Sequence, residues 1–441
     1  MRDRAPFHST GELIQPPSSA TVRKQLGKQH AGNGKGPLNR KDKLLVALDA
    51  GSLKTCALAA EETEGGTLKY LALGRAEAKG WRKGLIVNLE AAAGAIRKAI
   101  DEAEQAVGVP IERVVVGLGA SQLQGLNSRG GITISSRHRE IQREDVRKAL
   151  EVARTVRLPA ECALVHVIPQ EYLVDSQDGI LDPVGMVGGR LEANVHIVTA
   201  AAAAMNNVVA AANRAGLEVA ETVLEPLAAA EAVLNSDQRA LGVVLVDIGA
   251  GSTDVVAFRH GALQHSFTVP IGGEHFTNDI AVGLRTPIPE AEKIKRSFGV
   301  ATQLLAGENT SIEVPSVGDR PSRLVPQRAL ADILEPRAQE LLSRVLDELR
   351  RAGLDRQMGA GVVFTGGAAK LVGLCDIAEE VMDMPAQIGL PEKLEGAPES
   401  LRHPAYAALI GLLYFAQRVE QRRAQSAGMM TRLRAFFAGK N

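Results

Sequence analysis

The hydrophobic pattern of this chain starts late. Residues 1–42 are rich in Gly, Pro, Ser, Gln and Lys/Arg and have no apolar period. Such a segment buries too little surface to offset the entropy of ordering, so it reads as a disordered basic tail. Leu44 to Leu48 then form an apolar run ending at Asp49, the pattern of a buried strand, and the turn Ala50-Gly51-Ser52-Leu53-Lys54 leads into a second apolar run. A hairpin is predicted there. Apolar residues recur at helical spacing from Leu89 to Val107 behind Asn88, an acceptable cap, and Val114 to Leu118 is a second buried-type strand.

Residues 120–198 interrupt this rhythm with Gly-rich turns, a charged helix from Arg143 to Arg157, and strand-like runs at Leu164 to Ile168 and Val195 to Thr199. They read as a small α/β domain inserted into a first lobe that begins over 43–119. Met205 to Ala215 predicts a helix ended by Gly216, and Leu241 to Asp247 with Asp254 to Phe258 repeats the strand–turn–strand of the first hairpin. A duplicated α/β unit implies two similar lobes around a cleft, with ligands in the crevice beyond the strand ends. The second lobe is expected over 199–274, an outer subdomain over 275–345, and a segment completing both lobes over 346–415.

Composition narrows the classes. At 441 residues the chain exceeds one ordinary core and fits about two to four compact units. Its 51 basic residues balance 51 acidic ones, so no net field attracts nucleic acid. Cys56, Cys162 and Cys375 lie far apart and form neither a paired framework nor a CxxC metal site, which fits a reducing cytoplasm. No stretch approaches the roughly 20 apolar residues that span a bilayer, and the N-terminus lacks a signal-peptide core, so a chain neither secreted nor transmembrane is expected.

The chemistry concentrates in Val244-Leu245-Val246-Asp247-Ile248-Gly249-Ala250-Gly251-Ser252-Thr253-Asp254, a buried strand delivering an Asp into a Gly-rich turn. Gly249 and Gly251 let backbone N–H groups approach phosphate, Ser252 and Thr253 add hydroxyl donors, and Asp247 can hold Mg²⁺ through its water shell. Asp49, Gly51, Ser52 and Lys54 repeat the pattern, with Lys54 free to neutralise phosphate charge and Asp49 a second carboxylate for the metal's waters.

At this point the chain resembles the actin, Hsp70 and sugar-kinase superfamily, which implies ATP with Mg²⁺ between two lobes. Val363-Phe364-Thr365-Gly366-Gly367-Ala368-Ala369 matches the adenosine loop, and Glu292 with Lys295, at i,i+3, matches the pair that reaches the ribose. Glu225-Pro226-Leu227-Ala228-Ala229-Ala230 resembles the first connecting helix and Ala405 to Leu413 the second. The resemblance makes Glu225 the candidate for orienting the attacking water in a slow or vestigial ATPase. The alternative reading of Glu225 is a helix N-terminal acid that favours the dipole. Glu231, six residues on, turns away from it. His166 and His196 lie inside apolar runs and read as satisfied core residues.

Further stretches are similar to the FtsA family of bacterial cell-division proteins, whose fold is the duplicated actin-like α/β ATPase fold with its own inserted subdomain. They are Val167-Ile168-Pro169-Gln170-Glu171-Tyr172, Asp182-Pro183-Val184-Gly185-Met186, Val195-His196-Ile197-Val198-Thr199, Gly272-Gly273, Thr277-Asn278-Asp279-Ile280-Ala281, Val314-Pro315-Ser316-Val317-Gly318 and Ile333-Leu334-Glu335-Pro336-Arg337. Two departures are the long tail before Lys43 and Ala250, which replaces the middle glycine of the second phosphate turn.

The resemblance implies filaments of this chain at the division septum, on the cytoplasmic face of the inner membrane. There they would hold the C-terminal tail of FtsZ and recruit later division proteins. For that tail, Arg320, Arg323 and Arg337 of 275–345 are the candidates, with Arg328 nearby. Residues 416–427 are polar and read as a linker. Beyond it Met429, Met430, Leu433, Phe436 and Phe437 recur at i,i+3/i+4 while Arg432 and Arg434 take other faces. That is a short basic amphipathic helix over 428–441, suited to an anionic membrane surface. The alternatives are a paralogue building filaments for another task such as pilus assembly, and a sugar kinase of the same fold.

Overall fold

The structure, a computed structural model, describes residues 43–438 apart from 83, 120–122, 136–138 and 319, with side chains as far as residue 424. The expected tail over 1–42 lies outside the described residues. β1 (Leu44–Ala50) and β2 (Lys54–Glu62) pair antiparallel with Asp49 opposite Cys56, and β3 (Leu68–Glu77) continues the meander. A two-residue ladder, β4 (Trp81–Arg82) with β5 (Leu85–Ile86), precedes α1 (Leu89–Val107). The Asn88 side chain accepts from the Ala91 N–H at 3.0 Å, and Gly108 at φ 80° ends the helix, as the pattern of cap and stop requires. β6 (Arg113–Leu118) then lies parallel beside β1.

The insert consists of β7 (Gln124–Thr133), α2 (Arg143–Arg154), β8 (Cys162–Val174), β9 (Gln177–Ile180) and β10 (Arg190–Ala201). β8 and β10 far outrun the five-residue apolar runs of the sequence. Their outer halves alternate polar Gln170, Glu171, Glu192 and Asn194 with buried Tyr172, Leu191 and Ala193, and bulges at Asn194/Val195 and Val198/Thr199 break the period. α2 stops at Arg154 rather than Arg157, where Thr155 leaves helical geometry at ψ 82° and its N–H turns to the Val152 carbonyl at 3.1 Å. α3 (Ala202–Arg214) starts three residues before the predicted Met205, on Ala202-Ala203-Ala204, strong helix formers without an amphipathic signal.

β11 (Glu218–Leu224), α4 (Glu225–Val233) and α5 (Ser236–Leu241) lead to β12 (Val243–Ile248), β13 (Thr253–Arg259) and β14 (Ala262–Val269). Leu241, expected in the strand, ends α5 instead, since Asn235 and Gln238 form a capping box that starts a helix just before it. The outer subdomain holds α6 (Gly273–Gly283), α7 (Ile288–Phe298), β15 (Ser311–Val314), β16 (Arg323–Pro326) and α8 (Gln327–Arg351). β17 (Val362–Thr365), α9 (Leu374–Met382), β18 (Ala386–Ile388) and α10 (Ala407–Ala438) complete the chain.

The larger strands form two sheets. One runs β11-β6-β1-β2-β3, the other β18-β17-β12-β13-β14-β7-β10-β8-β9. The insert, though it interrupts the first lobe in sequence, thus extends the second lobe's sheet, where Phe267 of β14 pairs with Gln124 of β7. His196 sits in that seam, its ring nitrogens 2.6 Å from the Asn127 amide oxygen and 2.8 Å from the Ser266 hydroxyl. His166 accepts from the Leu224 N–H at 3.1 Å.

The polar stretch 416–427, read as a linker, is helical and continuous with α10. Its residues are good helix formers, and ion pairs hold its described turns to the body: Arg418 to Glu231 at 3.6 Å, Glu420 to Arg113 at 2.8 Å and Arg422 to Glu221 at 2.8 Å. Met429, Met430, Arg432, Leu433, Arg434, Phe436 and Phe437 fall in the last turns of α10, and their side chains lie outside the described residues.

α4 and α10 connect the lobes and cross closely. A Cβ at Gly411 would lie 1.7 Å from the Ala228 carbonyl oxygen, whereas one at Gly94, in α1, meets nothing within 4 Å. Gly411→Ala is therefore expected to cost about 1–3 kcal/mol by overpacking, and Gly94→Ala to stabilise by up to about 1 kcal/mol through helix propensity. Urea denaturation of the two variants checks this, and equal shifts would mean that the crossing does not require glycine.

Candidate functional site

The C-terminal ends of β1 and β12 carry Asp49 and Asp247 into one region, where Asp247 feels the charge of Asp49 and both feel that of Lys54. Asp254, opposite Asp247 across the β12–β13 hairpin, is buried and accepts from the Thr268 hydroxyl at 2.5 Å. Glu225, first residue of α4, completes the group, within range of all three aspartates. Four carboxylates thus crowd together, with the Lys54 ammonium beside Asp49 and Asp247. Burial pushes Asp247 up to about 8, helped by Asp254 and Asp49 and opposed by Lys54. Burial likewise lifts Asp254 to about 7 against its bond from Thr268. Asp49 rises through burial, with Lys54 pulling back, and Glu225 rises well above the carboxylate range through burial and then the three aspartates.

Glycines shape the space around these groups. The Glu225 carboxylate lies against the end of β6, where a Cβ on Gly117 or Gly119 would come within 2.9 Å of its atoms, and the Gly119 N–H bonds to it. Sequence reading passed over this pair, although Gly117-Leu118-Gly119 closing a buried strand was a visible signal. Gly366, at φ 92°, has room for no side chain, since a Cβ would lie 2.3 Å from Asp247 Oδ1. At Gly272 a Cβ would lie 2.5 Å from the Ala250 carbonyl oxygen. The strictest demand for glycine therefore falls where the adenosine-type loop and the start of α6 press on the second turn, rather than within the turn itself. Ala250 has an ordinary negative φ and fits.

The second turn is welded from outside. Gly273 and Glu274, at the start of α6, donate to the Gly249 and Ala250 carbonyls at 2.9 and 2.8 Å, and Ala368 donates to the Ile248 carbonyl at 3.1 Å. Among the described residues the backbone N–H groups of Ala250, Gly251 and Ser252 find no partner, so they remain to meet an oxyanion. The Thr253 hydroxyl does not join them, because it donates inward to the Ile271 carbonyl at 2.7 Å. In the first turn the Gly51 N–H closes onto the Lys54 carbonyl at 3.1 Å, and the Ser52 hydroxyl accepts from the Gly84 N–H at 3.0 Å but keeps its own proton to donate. Lys54 Nζ donates to the Ala405 carbonyl at 3.1 Å and lies 4.0 Å above the Tyr406 ring.

Glu292 and Lys295 of α7 pair at 2.6 Å, and Lys295 donates to the Gly273 carbonyl at 2.8 Å and to the Thr277 hydroxyl at 2.7 Å. Burial raises Glu292, but its bonds from Lys295 and Thr277 outweigh this and leave it below the usual range, while burial lowers Lys295. Gly367 is open, and a methyl group there would meet nothing within 4 Å. Glu231 is elsewhere, between Arg239 at 3.3 Å and Arg418 at 3.6 Å. The candidate arginines also lie apart from the cleft. Arg337 pairs with Asp279 at 2.7 Å and with Glu340, Arg323 donates to the Leu284 carbonyl, and Arg320 is exposed.

Four crowded carboxylates with one lysine fit a magnesium-bearing nucleotide: cations relieve the repulsion, and open turn N–H groups and Lys54 receive phosphate. The charge also fixes a pH dependence. Raised folded pKa values mean that the ligand-free protein loses stability as pH rises from the unfolded carboxylate range through about 7 to 8. Asp254→Asn should therefore stabilise the ligand-free protein by about 1 kcal/mol or more at pH 8 and by clearly less at pH 5, read by urea denaturation. Equal effects at both values would remove the charge argument.

Comparison with known proteins places this geometry. The family described as cell division protein FtsA matches residues 244–411, and the SHS2 domain inserted in FTSA matches 120–199. Cell division protein FtsA of Pseudomonas aeruginosa is 43% identical over 373 residues, covering 85% of this chain and 89% of that protein. The one from Neisseria meningitidis is 35% identical over 412 residues, covering 91% and 99%, and the one from Escherichia coli 37% over 382, covering 85% and 90%. Among solved structures, the PilM-PilN type IV pilus biogenesis complex superposes with a TM-score of 0.61 at 18% identity over 85% of this chain and 98% of that one. MreB5 of Spiroplasma citri bound to ADP gives 0.53 at 14% identity over 87% and 99%. These structures establish the actin-like α/β fold, and on the sequence relatives the chain belongs to the FtsA family of cell-division proteins.

Proposed function

We propose that this cell-division protein binds ATP with Mg²⁺ in the cleft, polymerises, and tethers the FtsZ ring to the inner leaflet while helping to recruit later division proteins. The observation that carries the nucleotide reading is the crowding of four carboxylates, Asp49 and Asp247 beside Lys54 among them, next to turn N–H groups that find no partner among the described residues. Magnesium, when bound, neutralises phosphate and carboxylate charge. Asp247 and Asp49 hold its waters, the second turn and Lys54 receive the phosphates, and Gly366, Gly367 and Ala368 form the floor for the nucleoside, near the Glu292–Lys295 pair. Burial and then the charge of its three aspartate neighbours push Glu225 well above the usual carboxylate range, so it serves best as a base that orients water once that charge is offset. Slow turnover follows from that dependence.

The partner reading rests on the outer subdomain, where Val282, Leu304 and Leu324 are 78%, 90% and 74% exposed, Arg323 reaches the Leu284 carbonyl and Arg328 the Gln303 amide oxygen beside Leu304. Exposed apolar side chains with guanidinium groups beside them suit a tail of mixed acidic and apolar residues. A ligand carboxylate at Arg337 would have to compete with Asp279. The terminal turns of α10 supply the membrane contact, and side-by-side copies in a filament supply the avidity that one short helix lacks.

Asp247→Ala is expected to weaken Mg-ATP binding by roughly tenfold or more, as loss of a residue holding the metal's outer shell does. Calorimetry with unchanged affinity would remove Asp247 from the site, and tight GTP binding without ATP binding would overturn the cofactor. Arg323→Glu and Arg337→Glu should each lower affinity for the FtsZ tail peptide about tenfold while leaving Mg-ATP binding intact. Fluorescence anisotropy unaltered in both variants, singly and combined, would make this site assignment wrong.

A further inference from the structure

We propose that Tyr406 is a positioning residue of the nucleotide site, its ring seating the Lys54 ammonium where it meets phosphate. This rests on the nucleotide reading above. Lys54 opens β2, and among the described residues no Asp or Glu oxygen stands within ion-pair distance of its Nζ, although Asp49 and Asp247 feel its charge. The ammonium is held instead by the two residues that precede α10. It donates to the Ala405 carbonyl at 3.1 Å and lies 4.0 Å from the centre of the Tyr406 ring, where the π-cloud attracts a cation. The Tyr406 hydroxyl makes no hydrogen bond among the described residues, so the ring face is the working part.

The turn that carries this seat is fixed on both sides. His403 Nδ1 accepts from the Ala405 N–H at 3.1 Å, and the His403 carbonyl accepts from the Tyr406 N–H at 3.0 Å. The Pro404 carbonyl accepts from the Gly366 N–H at 3.2 Å and from the Thr365 hydroxyl at 3.1 Å, both at the end of β17. The half-buried ring itself packs at the edge of the core that α10 closes. A lysine of the first hairpin is thus tied, through one turn, to the adenosine-type loop of the second lobe. A second cation shares the ring. On the β2–β3 ladder Lys54 stands opposite Glu77 and Cys56 opposite Arg75, so Lys54 and Arg75 are diagonal neighbours on one face, and the Arg75 guanidinium lies 5.2 Å from the same ring. The direction of the effect follows from entropy. A lysine loses most of its rotamer freedom when a ligand fixes it, and Lys54, already held by Ala405 and Tyr406, has lost much of that beforehand. An ammonium has three N–H donors, so the one on the Ala405 carbonyl leaves two for phosphate. The seat therefore raises affinity and does not compete with the ligand.

Calorimetry of Mg-ATP binding to the full chain tests this, with urea denaturation to check that each variant folds. Tyr406→Leu keeps an apolar side chain and loses the π-face, and should weaken Mg-ATP binding about fivefold or more, whereas Tyr406→Phe should match the wild type. Should Tyr406→Leu fail to fold, Tyr406→Met carries the same expectation. In a Lys54→Met background the added Tyr406→Leu should change affinity by less than about twofold, a cycle that separates Lys54 from Arg75, which keeps its place on the ring there. If Lys54→Met binds too weakly to read, acylation of Lys54 by acetic anhydride in the ligand-free protein, followed by mass spectrometry, replaces the cycle. Without the ring over Nζ, Lys54 should then be modified faster in Tyr406→Leu than in the wild type or Tyr406→Phe, and an equal rate overturns the proposal. Unchanged or tighter Mg-ATP binding by Tyr406→Leu overturns it alone, as does a loss that Tyr406→Phe shares or that persists in full without Lys54. Absence of Mg-ATP binding by the wild-type chain overturns the nucleotide reading and this proposal with it.

Discussion

Repulsion among Asp49, Asp247, Asp254 and Glu225, with Lys54 as the nearby cation, is the constraint around which the molecule is arranged. Left to themselves, four acids in a half-buried cleft would take up protons or push the lobes apart. The fold opposes this with rigid parts. β12 is flanked on both sides within its sheet, α6 and the loop after β17 bond to the second turn, and α4 starts at Glu225 itself. The stability lost to charge repulsion is the familiar cost of a preorganised site, and the proposed cation would return it.

That arrangement explains where glycine is indispensable. Gly366 and Gly272 bring backbone against backbone around Asp247 and Ala250, and Gly117 with Gly119 leave room for the Glu225 carboxylate. They sit at the ends of three elements, β6, β17 and α6, so the site is a meeting of strand and helix ends rather than one loop. The demand is for close approach, which is why a methyl at Ala250 is harmless and one at Gly272 would not be.

Much of this was legible in the sequence, and the gaps have physical causes. The two hairpins, α1 with its cap at Asn88 and the carboxylates on β1 and β12 all follow from apolar runs that end in charged turns. The long strands β8 and β10 were not visible, because polar residues on one face and two bulges spoil the period of two. The 416–427 segment misled for a different reason. A helix fixed by ion pairs to distant Arg113, Glu221 and Glu231 has no local apolar stripe to announce it. Asp254 matters through tertiary contact alone, which spacing does not encode, while Gly117 and Gly119 show in the sequence only as glycines closing a buried strand, with nothing to name Glu225 as the group they make room for.

The same helix reaches both ends of the first lobe. α10 follows directly from Tyr406, whose ring lies under Lys54 Nζ, and the Ala405 carbonyl holds that ammonium. It then crosses α4, whose first residue is Glu225, at Gly411 and leaves the body at Gln421, beside the start of β1. From residue 407 to 424 this is about 26 Å of α-helix. No flexible joint interrupts it among the described residues, and Arg418, Glu420 and Arg422 fasten its outer turns to the lobe. The segment proposed to meet the membrane is therefore mounted on the element that packs against the site, so the orientation of the terminal turns is tied to the first lobe as a rigid body. A polar linker at 416–427 would have left the cleft free to face any direction. A continuous helix would give every copy held on a membrane the same bearing, the condition under which the proposed alignment of neighbouring copies could occur.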